Sequence, residues 1–353
     1  MKIAIYTLPF TWNYGGILQC YALTHFLEEQ GHSVTILNRR TDTGLAVKNF
    51  LKSIKWNLVP VLYKAGVGRK NKLVAVESFK QKYLDRYSPL FFETDDLRDY
   101  CQHEHFDAVI SGSDQIWHYG RVQDIFSSFL DFVGDDTKKL AYAASFGVDF
   151  WKYSDEATSR CKDLVRKFSF VSVREASGVD LCSKHLGVNA SHVLDPTLLV
   201  GDAPFRKVMS DSDVKSDFLC TYVLDASDEK TKFIRSVADE LKCSIREASN
   251  CSVPSVENWI ESFAKAKFVV TDSFHGTCFA ILFNKPFITI FNEERGNARF
   301  ASLAQSLGLQ DRFVSDLGSS MGLVSSEINY DDVNLKLGEL RRISADLLVN
   351  ALL

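Results

Sequence analysis

Apolar residues in this chain follow two alternating rhythms. Short unbroken apolar runs, bounded by turn residues, read as buried strands; segments with apolar residues every three or four positions read as helices. K-I-A-I-Y-T (Lys2 to Thr7) is the first strand, and L-P-F-T-W-N-Y-G-G is a turn-rich loop. Ile17, Leu18, Tyr21, Ala22 and Phe26 then lie at helical spacing, and Gly31 stops that helix. H-S-V-T-I-L-N (His32 to Asn38) returns to strand. Such a strand-helix-strand unit predicts parallel strands joined right-handedly. After a polar, basic region come further strands in F-D-A-V-I-S-G-S-D-Q, K-L-A-Y-A-A-S-F-G, F-S-F-V-S-V-R-E and His192 to Thr197.

The rhythm restarts between residues 200 and 215. Strand F-L-C-T-Y-V-L precedes a helix carrying Phe233, Ile234, Val237, Ala238 and Leu241. Then follow helix S-V-E-N-W-I-E-S-F-A-K-A, strand K-F-V-V-T-D, helix H-G-T-C-F-A-I-L-F and strand K-P-F-I-T-I-F. The pattern predicts an α/β protein of two Rossmann-like, doubly wound domains facing a cleft, residues 1–200 and 201–330. A last helix, 331–353, packs back on either of them.

Composition narrows the class. A chain of 353 residues exceeds one comfortable core. With 46% hydrophobic and 24% charged residues it is neither disordered nor a membrane protein by composition. A net charge of −4 argues against a general nucleic-acid binder. The eight cysteines show no C-x-x-C pair or metal-ligand rhythm, as in a reducing compartment. No signal-peptide pattern and no spanning apolar stretch is read, so a cytoplasmic location is expected.

Ligands of open α/β sheets collect at the carboxyl ends of strands, and the chemically interesting residues fall there. In N-Y-G-G-I-L-Q, Gly15 and Gly16 open a helix, where backbone N–H groups can approach an anionic or hydroxyl-rich ligand. Asn13, Tyr14, Gly15, Gly16 and Gln19 are therefore acceptor-side candidates, although a plain capped turn uses the same residues. S-G-S-D-Q-I-W adds Ser113, Asp114, Gln115 and Trp117: a carboxylate and an amide for sugar hydroxyls, with an indole to stack on a sugar face. An N-cap role suits Ser113 or Asp114 equally. Arg174, ending V-S-V-R-E, presents a fork matched to carboxylate or phosphate, or to a structural acid. In T-D-S-F-H-G-T, Asp272, Ser273, Phe274 and His275 are displayed where a strand gives way to a helix beginning at Gly276. The helix start suits phosphate, and the imidazole suits proton transfer. His275, Asp272 and Asp114 are the catalytic candidates. Arg295, Asn297 and Arg299, just beyond the next strand, lie where they can meet an anion. H-E-H (His103 to His105) is assigned no role, and no metal is expected.

Residues 48 to 86 hold ten Lys or Arg against two acids, with Trp56, Leu58, Val61, Leu62 and Tyr63 interleaved. Either a solvated helix pair or a contact with anionic membrane lipid, or with a lipid-diphosphate acceptor, accounts for this.

Taken together, N-Y-G-G-I-L-Q-C-Y-A-L, S-G-S-D-Q-I-W, V-S-V-R-E-x-S-G, V-L-D-P-T-L-L, V-V-T-D-S-F-H-G-T and F-N-K-P-F-I resemble the polysaccharide pyruvyl transferase family, in the family's order. The resemblance implies a fold like the GT-B glycosyltransferases. It implies phosphoenolpyruvate as donor and no further cofactor. The product it implies is a pyruvate ketal on two hydroxyls of one sugar, in a surface polysaccharide or its lipid-linked precursor. By resemblance Arg174 and His275 match donor-binding positions. Some members carry an Arg two residues before the motif His, where this chain has Ser273. The cation must then come from Arg174, Arg295, Arg299 or Lys285. Two rivals stand beside this reading: a nucleotide-sugar glycosyltransferase, for which no convincing E-x7-E-like pair is found, and a non-catalytic glycan-binding relative.

Overall fold

A computed structural model describes residues 1–10, 13–40, 60–84, 86–122, 124–209, 216–249, 255–291 and 296–353, with backbone alone for 60–70. Its strands are β1 (Lys2–Tyr6), β2 (Ser33–Arg39), β3 (Tyr87–Phe91), β4 (Ala108–Ser111), β5 (Lys138–Ala144), β6 (Phe170–Val173), β7 (Ser191–His192), β8 (Phe218–Tyr222), β9 (Ser244–Glu247), β10 (Phe268–Thr271), β11 (Phe287–Ile290) and β12 (Phe313–Val314). They form a seven-stranded sheet in the order β3-β2-β1-β4-β5-β6-β7 and a five-stranded sheet in the order β12-β11-β10-β8-β9. Every pairing is parallel.

Central strands are the apolar runs of the sequence because helices cover both sheet faces, so inward and outward residues are equally dry. β4, β8, β10 and β11 are buried at every position. The strands that the apolar pattern does not announce are edges. β3 carries Pro89 and an exposed Leu90, and β9 has Ser244, Ile245 and Glu247 exposed. An edge strand needs one pairing face only and tolerates Pro and charge. The expected strand at His192 to Thr197 is a correction. Only Ser191–His192 pairs; Asp195 then caps a helical turn, Pro196–Leu199, through a bond from the Thr197 N–H. The D-P-T sequence puts an N-cap acid before a proline at the first helical position.

The chain order reverses direction between β1 and β4 in the first sheet, and between β8 and β10 in the second. In open parallel sheets the loops leaving such strands diverge, and ligands bind between them. Here those are the loops after Tyr6, Ser111, Tyr222 and Thr271. The terminal helix, Tyr330–Leu352, returns to the first sheet: Ser344 Oγ accepts from the Leu194 N–H at 3.0 Å, and Lys138 Nζ donates to the Leu352 carbonyl at 3.1 Å. Among the described residues, no helix is long and apolar enough to cross a membrane.

Of the basic stretch, 41–59 and the side chains of 60–70 lie outside the described residues. Lys72 donates to Ser249 Oγ at 2.9 Å and Lys82 lies 3.6 Å from Glu257, so the helix Pro60–Tyr83 is fastened to the second half. Lys80 pairs with Glu77 and Arg86 donates to Ser33.

Candidate active site

T-D-S-F-H-G-T is a strand-to-helix turn in which most residues hold the turn itself. Thr271 Oγ1 donates to the Tyr222 carbonyl at 2.6 Å and accepts from the Ser273 N–H at 3.1 Å. Ser273 caps the helix Phe274–Leu282, taking up the Gly276 N–H that was expected to serve a phosphate. A Cβ at Gly276 would come within 3.0 Å of Thr271, so glycine is there to let the helix return over the strand end. Asp272 also belongs to the scaffold, which corrects its catalytic assignment. Its carboxylate accepts from the Leu224 and Asp225 N–H groups at 2.6 and 3.2 Å and from Lys230 Nζ at 2.8 Å, fixing the loop after β8. Asp272→Asn is expected to cost about 1.5–3 kcal/mol of stability, the range for a charged hydrogen bond, while changing turnover less than tenfold. Urea unfolding and phosphate release assays measure the two.

What remains of the motif is Phe274 and His275, and both reach the first half of the molecule. His275 is buried, yet among charges. Its Nε2 lies 3.7 Å from Asp195 Oδ2, and its ring lies against Gly15. Asp195 Oδ2 also accepts from Arg174 Nη1 at 2.7 Å and from Ser113 Oγ at 3.2 Å, while Oδ1 holds the Thr197 N–H and hydroxyl. Arg174 Nη2 donates to Asp114 Oδ1 at 2.8 Å. Asp114 aims its carboxylate there from a left-handed backbone (φ 77°) that bridges to Ala144. Burial by itself raises both carboxyls, but the cations outweigh it. Asp195 is held well below the usual carboxylate range by His275, Arg174 and Thr197, and Asp114 is lowered by Arg174, His275 and Arg299. Arg174, lowered by burial but raised more strongly by Asp114, Asp195 and Glu175, stays charged.

Arg299, near the start of the helix Ala298–Leu307, supplies a second buried guanidinium. The Phe274 ring takes cation–π contacts from Arg174 at 4.8 Å and from Arg299 at 5.3 Å. Burial and the nearby Arg174 push Arg299 down to about 10, against the pull of Asp114 and Glu175. Two like charges brought this close constitute a place that an anion relieves.

Several expected residues serve elsewhere. Trp117 is a correction: it is fully buried, stacks on Phe129 at 4.6 Å, and donates its indole N–H to the Ser128 carbonyl, so no face is left for a sugar. Asn13 caps the helix Tyr14–Glu29 and takes up the Gly15 N–H, leaving that group unavailable to a ligand. Tyr14 packs edge-on to Trp259 of the second half. Gln19 Nε2 donates to Thr7 Oγ1 and the Gly16 carbonyl, and the missing Cβ of Gly16 faces Asp114. Lys285 follows the far end of the Phe274–Leu282 helix, about 13 Å from its start at 1.5 Å per residue, and is not part of the cluster. Arg295 lies outside the described residues. Asp195 is the residue that sequence reasoning missed as a site group. Its signal was present in V-L-D-P-T, the one block with an acid at a strand end that received no chemical role.

Among the described residues, Gln115 Nε2, Arg174 Nε, Glu175 Oε2 and His275 Nε2 are buried without a hydrogen-bond partner. Orphaned polar atoms are rare in a finished core and need an explanation. Those of Arg174 and His275 lie where the two halves meet on Asp195, while others, such as those of Thr24, Arg39 and Tyr87, lie elsewhere among the described residues.

Two parallel α/β halves meeting at the carboxyl ends of their strands define the GT-B class of glycosyltransferases and epimerases. Solved structures with this fold include the Rickettsia bellii UDP-N-acetylglucosamine 2-epimerase (11% identity over 100% of this chain and 97% of that one, TM-score 0.54). The Neisseria meningitidis UDP-GlcNAc 2-epimerase bound to UDP-GlcNAc has 9% identity over 99% and 100%, TM-score 0.51. Arabidopsis thaliana UGT89C1 complexed with UDP-L-rhamnose has 11% identity over 99% and 98%, TM-score 0.50. At such identities the likeness is one of fold. The chain belongs to the polysaccharide pyruvyl transferase family, whose profile matches residues 13–293. No curated protein sequence matches it.

Proposed function

We propose that the protein transfers pyruvate from phosphoenolpyruvate to two hydroxyls of one sugar, in a surface polysaccharide or its lipid-linked precursor, and releases phosphate. The observation that carries this reading is the convergence of Arg174 and Arg299 on Phe274 beside His275. The donor carries a carboxylate and a phosphate, and the site offers one guanidinium for each. Arg174 is already paired with Asp114 and Asp195. Donor binding through the Nη groups has to draw Arg174 away from one of them, and Asp114, the more exposed of the two, is the one to release it.

In net, the two hydroxyl protons end on the donor CH2 carbon and on the departing phosphate. A proton from solvent adds to the CH2 carbon, making it a methyl group and leaving C2 oxocarbenium-like, and the carboxylate that takes the first hydroxyl's proton returns it to solvent. The first sugar hydroxyl attacks C2 and loses its proton to a carboxylate. His275 protonates the bridging oxygen as phosphate leaves, and the second hydroxyl closes the ketal, returning a proton to the imidazole. Asp114, freed from Arg174, is the base for the first hydroxyl. Asp195 holds the imidazole and Arg174 in register. No further cofactor enters the scheme. A cytoplasmic location fits a phosphoenolpyruvate donor, and a lipid-linked acceptor would bring the protein to the inner face of the membrane.

His275→Ala is expected to lower turnover roughly 10²- to 10⁴-fold, the usual contribution of one positioned acid or base. Phosphate release from phosphoenolpyruvate, followed with nucleotide- and lipid-linked sugars, tests the reading. If wild-type protein releases none with any acceptor, and its thermal midpoint rises with UDP but not with phosphoenolpyruvate, the reading is wrong.

A further inference from the structure

Beyond the charged cluster lies a second group of buried polar atoms, and it has the opposite character. Glu175 follows Arg174 just after β6, at the start of the helix Ala176–Leu181. It is 0% exposed, and its Oε1 accepts from the Phe146 and Gly147 N–H groups at 2.7 and 3.2 Å. Its Oε2 has no hydrogen-bond partner among the described residues. Gln115, 5% exposed, brings its own unpartnered Nε2 to the same place, 2.5 Å from where a Cβ of Gly147 would stand. His118 abuts that position too, with Nδ1 unpartnered. The Gly147 carbonyl in turn abuts Gly296, so the spot sits on the seam with the second half.

We propose that Gln115 and Glu175 form a hydroxyl-reading pair that grips the acceptor sugar beside Gly147. One atom can only donate and the other, as a carboxylate oxygen, accepts; a sugar hydroxyl does both at once. The Glu175 carboxylate disfavours an anionic donor at this spot, and the donor is drawn instead to Arg174 and Arg299. Burial pushes Glu175 up against the pull of Arg174 and Arg299, and burial with Arg121 and Lys152 pushes His118 down to about 4, so the imidazole beside Gly147 is neutral at neutral pH. Naming the sugar as acceptor rests on the pyruvyl-transfer reading; the pairing of the two atoms does not. The alternative occupant is a buried water bridging the two groups.

The test is saturation-transfer NMR and calorimetry with methyl glycosides of glucose, galactose and mannose and their single-deoxy analogues, in the presence of phosphoenolpyruvate. Glu175→Gln keeps an oxygen for the Phe146 and Gly147 N–H groups, so it preserves the fold. Gln115→Leu is the second variant. Each is expected to weaken the bound glycoside roughly 10- to 100-fold, the cost of a buried polar group left unpaired, with donor affinity within twofold. One deoxy analogue should lose the same factor on wild-type protein and nothing more on the variants. Unchanged glycoside affinity in both variants, or no binding of any glycoside to wild-type protein, overturns the proposal. If glycosides bind in this residue-dependent way but no pyruvate is transferred, the subsite stands and the pyruvyl-transfer reading falls. If transfer proceeds and the variants match wild type, the reverse holds.

Discussion

Gly15→Ala is expected to cut kcat/KM at least about 100-fold, an effect comparable with removing a catalytic group. A Cβ at Gly15 would come within 3.0 Å of three atoms of the His275 side chain, closer than real Cβ atoms approach. Those atoms belong to opposite halves, so the methyl group either rotates the imidazole away from Asp195 or wedges the halves apart. Overpacking of this kind costs about 1–3 kcal/mol. The proof of cause is a cycle. In a His275→Ala background the ring is gone, and Gly15→Ala should be neutral or stabilise by up to about 1 kcal/mol, the helix propensity gained over glycine. Urea unfolding of the four proteins supplies the numbers. Equal destabilisation in both backgrounds would mean that Gly15 is kept for its backbone and not for the approach of His275.

Asp195→Asn should be the most destabilising conservative change in the site. The carboxylate is the common partner of Arg174, Ser113, Thr197 and His275. Replacing Oδ2 by an amide turns a donor toward a buried guanidinium. Breaking a buried ion pair from one side costs about 3–5 kcal/mol, a large share of the 5–15 kcal/mol typical of a folded domain. The pH dependence carries a second signature. Because Asp195 and Asp114 are held below the ordinary carboxylate range, their stabilisation is fully present above the unfolded value of about 4. It is lost as pH falls through the lower folded values. Wild-type protein should therefore lose stability steeply in acid, and Asp195→Asn should start lower and fall less. Parallel curves would exclude Asp195 as the anchor.

The parts legible in the sequence were those in which local pattern and tertiary environment agree. β1, β4, β8, β10 and β11 are apolar runs because both of their faces are covered. β3, β9 and β12 lie at sheet edges; mixed composition hid β3 and β9, and β12 is only two residues long. The site was legible as a set of strand ends, since parallel sheets place chemistry there. Which residues of each strand end are free for chemistry was not. Asp272 and His275 are three apart in one motif, yet one is tied to Lys230 and the other to Asp195. Trp117 and Gln115 share a loop; one fills the core and the other reaches the seam.

The sequence by itself determined two parallel α/β halves, the order of their elements and the family, because apolar period, turn residues and motif order are properties of the chain read along its length. The tertiary structure alone decided that Arg174 and His275 meet on Asp195, that Arg299 joins them through Phe274, and that Gly15 is small for the sake of an imidazole 260 positions away. Those contacts join residues distant in the chain and depend on how two sheets face each other, which no local pattern encodes.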